Sequence, residues 1–433
     1  MSLLGIVGPV GVFVASFAVN ALVLSYHSES FPRLRALVDR ANRSITGRTD
    51  WGWLRLRHLM AFLGVVAVGS TLWNLATLRC SNDVFALLAS GQAALHGQNP
   101  FSVEFCGGPA AEQIPYGLAA VSVNALGAAS GSVVGVWIAW ELVALAVVPL
   151  VWSVGGAERR FVSVVATTSV VYLPNITNNI GGLENAIVPV SVLLMLAGLA
   201  ASERRRTLRI WVAAFFSTAR FPAVFPLLGS SSGDRRGKGA QLAIVLGVFS
   251  GAVLFSTFLW GGDAVQVVYL GQVTRGSSES LNLFALLVHQ GWFHPSLAVA
   301  GVQGAGLVAL LCLVHWRGYS SRTSAGVLLV GLMLFSQYLN YHFTEWLIPL
   351  VLLGAAVNWW LLILGTVMVA DENLAYWYLA VGRGVWWPYE LAGVVLTALL
   401  VTMVLEIVRS EEARMRLWRP SGSTGNQSPG AGI

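Results

Sequence analysis

Apolar runs of about 20 residues recur along the whole chain, the length that lets one helix cross a bilayer. They cover 3–26, 59–78, 133–153, 161–178, 183–201, 241–260, 297–315, 323–341 and 388–408, with short polar clusters between them. Two further apolar stretches are interrupted. The first, 210–229, contains Arg220, Pro222 and Pro226 and has basic clusters on both sides, so it reads as a helical hairpin or re-entrant element. The second, 344–370, reads as a short hairpin. From Ser81 to about residue 132 the pattern is half-apolar and broken by Gly107-Gly108-Pro109 and Ile114-Pro115-Tyr116-Gly117, which predicts a long loop with helices lying along the membrane. The expected fold is all-α and polytopic, with roughly ten to twelve spans counting the interrupted stretches. Residues 1–410 form a single transmembrane domain on this reading. Residues 411–433 form a cytoplasmic tail, disordered because the segment after Arg419 is small and polar.

Composition agrees with that class: 56% of the 433 residues are hydrophobic and only 11% are charged, which leaves no room for a soluble catalytic domain. Any chemistry must take place in or beside the bilayer. Charge then orients the spans. Lys and Arg number 26 against 20 acidic residues, and their placement in short clusters between apolar runs is a topology signal, which argues against a nucleic-acid partner. The first span has no charge before it, so a signal peptide with a basic start is not expected and the N-terminus falls outside. Arg33, Arg35, Arg40, Arg43, Arg48, Arg55 and Arg57 place the next segment in the cytoplasm. Following this alternation puts every basic residue inside except Arg79, Arg275 and Arg383 outside and Arg220 within the membrane. The outer face then collects Asp83, Glu104, Glu112, Glu184, Asp263, Glu279 and Glu345, with Arg275, His289, His294 and His342. The expected location is a cell membrane, or the endoplasmic reticulum membrane in a eukaryote, with any active site extracytoplasmic.

Several chemistries lack their motifs. There is no CxxC or HExxH spacing, no phosphate-binding Walker loop and no GxSxG elbow. No cofactor is called for, and a divalent metal is not required. Cys80 and Cys106 fall on the same predicted outer loop, where they either close a disulfide in an oxidising compartment or remain apolar free thiols. Asp83 follows Ser81 and Asn82 immediately before an apolar-periodic run, which is also the signature of a helix N-cap. Arg275, in the polar stretch Thr274-Arg275-Gly276-Ser277, and Arg220 are candidate phosphate binders; an arginine near a span end also snorkels to headgroups. Helical spacing aligns Gln337, Tyr341 and Glu345 beside Tyr338 and His342, a cluster suited to sugar hydroxyls or to an interfacial aromatic belt. Glu184 with Asn175, Asn178 and Asn179 forms a second polar patch at an outer boundary. Glu141 is the clear mid-span carboxylate.

Four local matches give these residues a family to resemble. Asp83-Val84-Phe85 followed by Gly97-Gln98-Asn99-Pro100-Phe101 is similar to the first-loop acidic motif and turn of the GT-C superfamily of integral-membrane glycosyltransferases. Ile180-Gly181-Gly182-Leu183-Glu184-Asn185 resembles its Arg-Gly-Asn/Ser-x-Glu-Ser element. Arg220-Phe221-Pro222 resembles its basic residue before an aromatic-proline pair, and Gln337-Tyr338 through Trp346-Leu347-Ile348-Pro349-Leu350 its Gln-Tyr to Leu-Pro-Leu signature. Within the superfamily the pattern is nearest the mannosyltransferases that use polyprenyl or dolichyl phosphate mannose. Ser81 stands where the family commonly has a first acid, and Ile180 where it has Arg. The resemblance implies inverting transfer of a hexose, mannose in those enzymes, from a polyprenyl-phosphate sugar donor to a lipid- or glycan-linked acceptor on the extracytoplasmic side. It makes Asp83 the base, Arg275 and Arg220 the holders of the donor phosphate, and Gln337, Tyr338, His342, Glu345, Glu184 and Asn179 the sugar and acceptor contacts, with membrane lipids around the whole.

The competing class is a transporter or flippase of lipid-linked sugars. Common transporter folds carry two related halves with matched broken helices near the midplane. No such internal repeat is visible, and the acids lie mostly in loops on one face rather than mid-span.

Overall fold

The computed structural model describes residues 55–76, 83–105, 108–109, 116–154, 203–220, 223–229, 235–270, 291–292, 297–336 and 387–418, with isolated positions between 32 and 44 and at 287. These residues are mostly helical, with turns between the helices and one antiparallel ladder of two residues per strand, Glu104–Phe105 (β1) against Gly108–Pro109 (β2). The all-α class holds. The helices are α1 (Leu56–Ala76), α2 (Asp83–Leu95), α3 (Leu118–Ala128), α4 (Val133–Val154), α5 (Glu203–Ser217), α6 (Val224–Gly229), α7 (Arg235–Trp260), α8 (Leu297–Arg317), α9 (Ser321–Phe335) and α10 (Trp387–Trp418), with a π-helix at Ala264–Leu270.

The runs predicted at 59–78, 133–153, 241–260, 297–315, 323–341 and 388–408 become helices close to where the pattern puts them, with differences at the ends, while those at 3–26, 161–178 and 183–201 and the hairpin at 344–370 lie outside the described residues. The run predicted at 323–341 gives a helix that stops at Phe335, where Ser336 turns to extended backbone with ψ 131°. The last helix continues through residues 411–418, which corrects the expectation that the tail is disordered from 411. Its charged end stays helical because Arg409 pairs with Glu406 and Arg414 with Glu411 at i,i+3 spacing. The interrupted stretch 210–229 forms the end of α5, a break at Thr218–Arg220, and the short α6.

One half of the core lies between α1, α2, α3 and α4, where Leu63, Leu87, Trp137 and Trp140 are fully buried. The other half joins α6 to α9 and α9 to α8 and α10 through Leu227, Leu328, Leu329, Leu400 and Met403. Both buried indoles of the first half find acceptors: the Trp140 N–H donates to Asn124 Oδ1 at 2.8 Å and that of Trp137 to Glu141 Oε1 at 3.3 Å. Among the described residues two helices are long and apolar enough to cross a membrane, within Lys238–Trp260 and Gly393–Arg416. The first turns Leu254 and Phe258 outward, 70% and 86% exposed, which is the reverse of a soluble core helix.

The charged end of α10 holds the turn between α8 and α9. Glu411 is buried and accepts from the Ser320 backbone N–H at 3.0 Å, from Thr323 Oγ1 at 3.0 Å and from Arg414 Nη2 at 2.8 Å. Glu412 accepts from the Tyr319 hydroxyl at 3.2 Å and pairs with Arg317 at 3.6 Å. Burial, and then the Glu412 carboxylate beside it, raise the Tyr319 phenol above its ordinary pKa, so it remains the donor in that bond. Gly229 at the end of α6 packs on Ser324 and Leu328, near the start of α9. Replacing Glu411 by Ala removes the acceptor of the Ser320 N–H and the Thr323 hydroxyl and is expected to lower stability by about 2 kcal/mol, read as an earlier thermal unfolding midpoint in detergent.

Candidate functional site

The described residues between Asp83 and Gly117 are built into the bundle. Ala and Leu dominate α2 and suit a helix, and Asp83 is its first residue. The helix closes by a Schellman arrangement: Gly97, at φ 70°, donates its N–H to Ala94 O, and Gln98 donates to Ala93 O at 2.8 Å. The turn that follows hangs on one amide. Asn99 Oδ1 accepts the Phe101 backbone N–H at 3.0 Å, while its Nδ2 donates to Asp263 Oδ2 at 2.9 Å and lies 3.5 Å from the Trp260 carbonyl oxygen. Phe101 meets Trp260 edge to face, with centroids 5.6 Å apart and rings at 84°. Both rings pack with Val121 of α3 and with Ala264 and Val268 of the π-helix.

The break at Thr218–Arg220 caps α3. A helix start leaves backbone N–H groups without intrahelical partners. Here Gly117 N donates to Ala219 O at 2.8 Å and Ala119 N to Thr218 Oγ1 at 3.2 Å, so α5 must end for α3 to begin. Gly117 is required by closeness, since a Cβ there would collide with the Thr218 carbonyl oxygen. Arg220, only 8% exposed, donates from Nη2 to the Tyr116 hydroxyl oxygen at 2.9 Å, and its guanidinium carbon lies 4.8 Å from the centre of the Tyr116 ring. A charge this buried is held by the phenol and the ring face together.

The helices α2 and α3 run antiparallel. Gly91 faces Asn124 and Ala128, whereas Phe101, beyond the end of α2, packs against Leu118 and Val121. Asp83 therefore lies toward the end of α3 and the start of α4, and Arg220 toward the start of α3. The 13 residues of α2 hold these ends about 20 Å apart, at 1.5 Å per helical residue. The expected base and one of the two expected phosphate binders are not brought together. No family model, no curated protein and no solved structure matches the chain.

Arg275, Gln337, Tyr338, His342, Glu345, Glu184 and Asn179 lie outside the described residues, as do Cys80 and Cys106. Among the described residues no group of three His, Cys, Asp or Glu side chains could hold a metal ion. Two contacts escaped the reading of the sequence. Tyr116 sat in a stretch read only as a loop, and Asp263 was one outer acid among several, 164 residues from its partner Asn99. A Gly-Gly-Asp turn at the end of an apolar run is the local sign that α7 stops where a first-loop element can dock.

Tyr116→Phe keeps the ring under Arg220 but removes the phenol oxygen. A loss of about 2 kcal/mol is expected, typical of a hydrogen bond to a charged group, measured by thermal unfolding of the purified protein.

Proposed function

We propose that the chain is a polytopic membrane glycosyltransferase of GT-C type that moves a hexose from a polyprenyl-phosphate donor to a lipid- or glycan-linked acceptor outside the cytoplasm. The observation that carries this reading is the docking of the first-loop turn on the Trp260–Asp263 end of α7, with Arg235, Arg236 and Lys238 at the opposite end of that helix. Basic ends face the cytoplasm. The acidic first-loop helix α2 then belongs to the outer surface, where lipid-linked sugars are used.

In this reading Asp83 accepts the proton of an acceptor hydroxyl. The freed oxygen attacks the anomeric carbon, the bond from that carbon to the phosphate oxygen breaks, and the polyprenyl phosphate leaves with the electron pair. One displacement inverts the anomeric configuration and forms no covalent enzyme intermediate. Charge builds on the departing phosphate, so a cation is needed beside it. Arg220 serves poorly in that role, because it is buried against Tyr116 at the far end of α2, and Arg275 is the remaining candidate. Sugar hydroxyls fall to Gln337, Tyr338, His342, Glu345, Glu184 and Asn179.

Two measurements test the proposal. Vesicles carrying the protein and a labelled polyprenyl-phosphate hexose are expected to label an extracted glycolipid acceptor, and Asp83→Asn to slow that transfer by about a hundredfold or more, the usual contribution of a general base. Movement of the labelled lipid across the bilayer without transfer would instead establish a flippase. In a background with the native cysteines replaced by Ser, Gln98→Cys is expected to react with an impermeant maleimide from outside and Lys238→Cys only after permeabilisation. The opposite pattern removes the outer placement of α2.

A further inference from the structure

Resting on the glycosyl-transfer reading, we propose that Asn99 and Asp263 are positioning residues: the hydrogen bond between them fixes α2, and with it Asp83, to the outer end of α7. The hairpin of α2 and α3 has two ends. The Asp83 end is held by close packing, since Gly127 of α3 lies against the backbone of Val136 at the start of α4. The other end meets α7 through a small apolar cluster, in which Phe101 and Val121 pack with Trp260, Phe249 and Val253, and through the Asn99 amide, which donates to Asp263.

The amide is used at both ends, and the chemistry of each is different. Its oxygen shapes the turn by accepting from Phe101, and its nitrogen reaches a carboxylate on another helix. Gln98 and Ser102 flank it without contributing to the link, because the Ser102 hydroxyl donates within the turn to the Asn99 carbonyl at 3.1 Å. Asp263 sits on the solvent side, directly before the π-helix that buries Ala264 and Val268 under Phe101. One bond therefore couples the first-loop turn, the end of α7 and an insertion of π-helical backbone, a geometry common at functional sites. A change at either residue removes the polar part of this joint and loosens the turn while leaving the core packing of Val84, Leu87 and Trp137 in place.

The geometry allows the partners to be exchanged. In the double variant N99D/D263N the carboxylate at position 99 still accepts from Phe101 N–H, and the amide at position 263 supplies the donor across the gap. The test compares N99A, D263A, N99A/D263A and N99D/D263N in vesicles with labelled polyprenyl-phosphate hexose. Each single variant is expected to lower kcat about tenfold with little change in KM for the donor, the pattern of misplaced chemistry rather than lost binding. The double alanine variant is expected to be no slower than either single one, because both remove the same bond. The exchanged pair is expected to recover most of the rate. An unchanged rate in D263A, or an exchanged pair as slow as the single variants, overturns the proposal, the latter outcome making Asp263 a direct substrate contact. Hydrogen exchange read on the same proteins separates this from the reading it rests on. Alanine at position 99 is expected to lose amide protection together at 97–103 and at 262–268. If the native protein transfers no sugar, the glycosyl-transfer reading fails, and unchanged protection at these two segments overturns the link independently.

Discussion

In a bundle of apolar helices each backbone amide must find its partner inside the protein, so the places where helices stop decide the architecture. Every described stop that matters here is closed by something specific. Residues 97 and 98 return their N–H groups to the end of α2. The start of α3 takes its acceptors from Ala219 and Thr218, which is why the apolar stretch carrying Arg220 is broken instead of running through as one span. The start of α9 is capped by the Ser320 hydroxyl, which accepts from Thr323 N–H, and by Glu411 of the last helix. The interruptions are thus joints between elements distant in sequence, and breaking one joint exposes polar backbone on two helices at once.

Those joints fix what can meet. Because the break after α5 serves the first turn of α3, Arg220 is committed to the start of that helix and to Tyr116. Because α2 returns antiparallel along α3, Asp83 is committed to the opposite end. A sugar phosphate is far shorter than the about 20 Å rise of the 13-residue helix between them, so one reaction centre cannot use both residues. A buried arginine invites a functional reading by default, and here Arg220 rests its guanidinium on the Tyr116 ring and donates from Nη2 to the Tyr116 hydroxyl.

The helices were legible because their signal is local: twenty apolar residues in a row, bounded by Arg clusters or Gly, leave few alternatives. Helix ends were less so. The last helix outruns its apolar stretch because Glu411 and Arg414 find partners on the α8–α9 turn and on each other, a tertiary reward that composition does not display. The site was legible as a set of suspicious residues and not as an arrangement. Asn99-Pro100 reads as a turn in isolation, and nothing near it names Asp263; Arg220 stands out at once, while its partner Tyr116 lies in a stretch whose proline and glycine suggest only loop. Pairings across 104 and 164 residues are decided by where joints fall, and periodicity carries no record of that.

The link at Asn99 is where these two kinds of information come together. A turn motif noticed for its likeness to a first-loop element is also the part of that loop that crosses to α7, and it meets the end of α7 opposite Arg235, Arg236 and Lys238. Had the turn docked beside those basic residues, the same sequence motif would have argued for a cytoplasmic helix and against lipid-linked donors used outside. The functional reading therefore depends less on Asp83 itself than on a hydrogen bond and a ring contact at the far end of its helix. A carboxylate can serve as a base only where its surroundings hold it in place; here close packing at the end of α3 is joined by the contacts of Asn99 and Phe101 at the far end of α2.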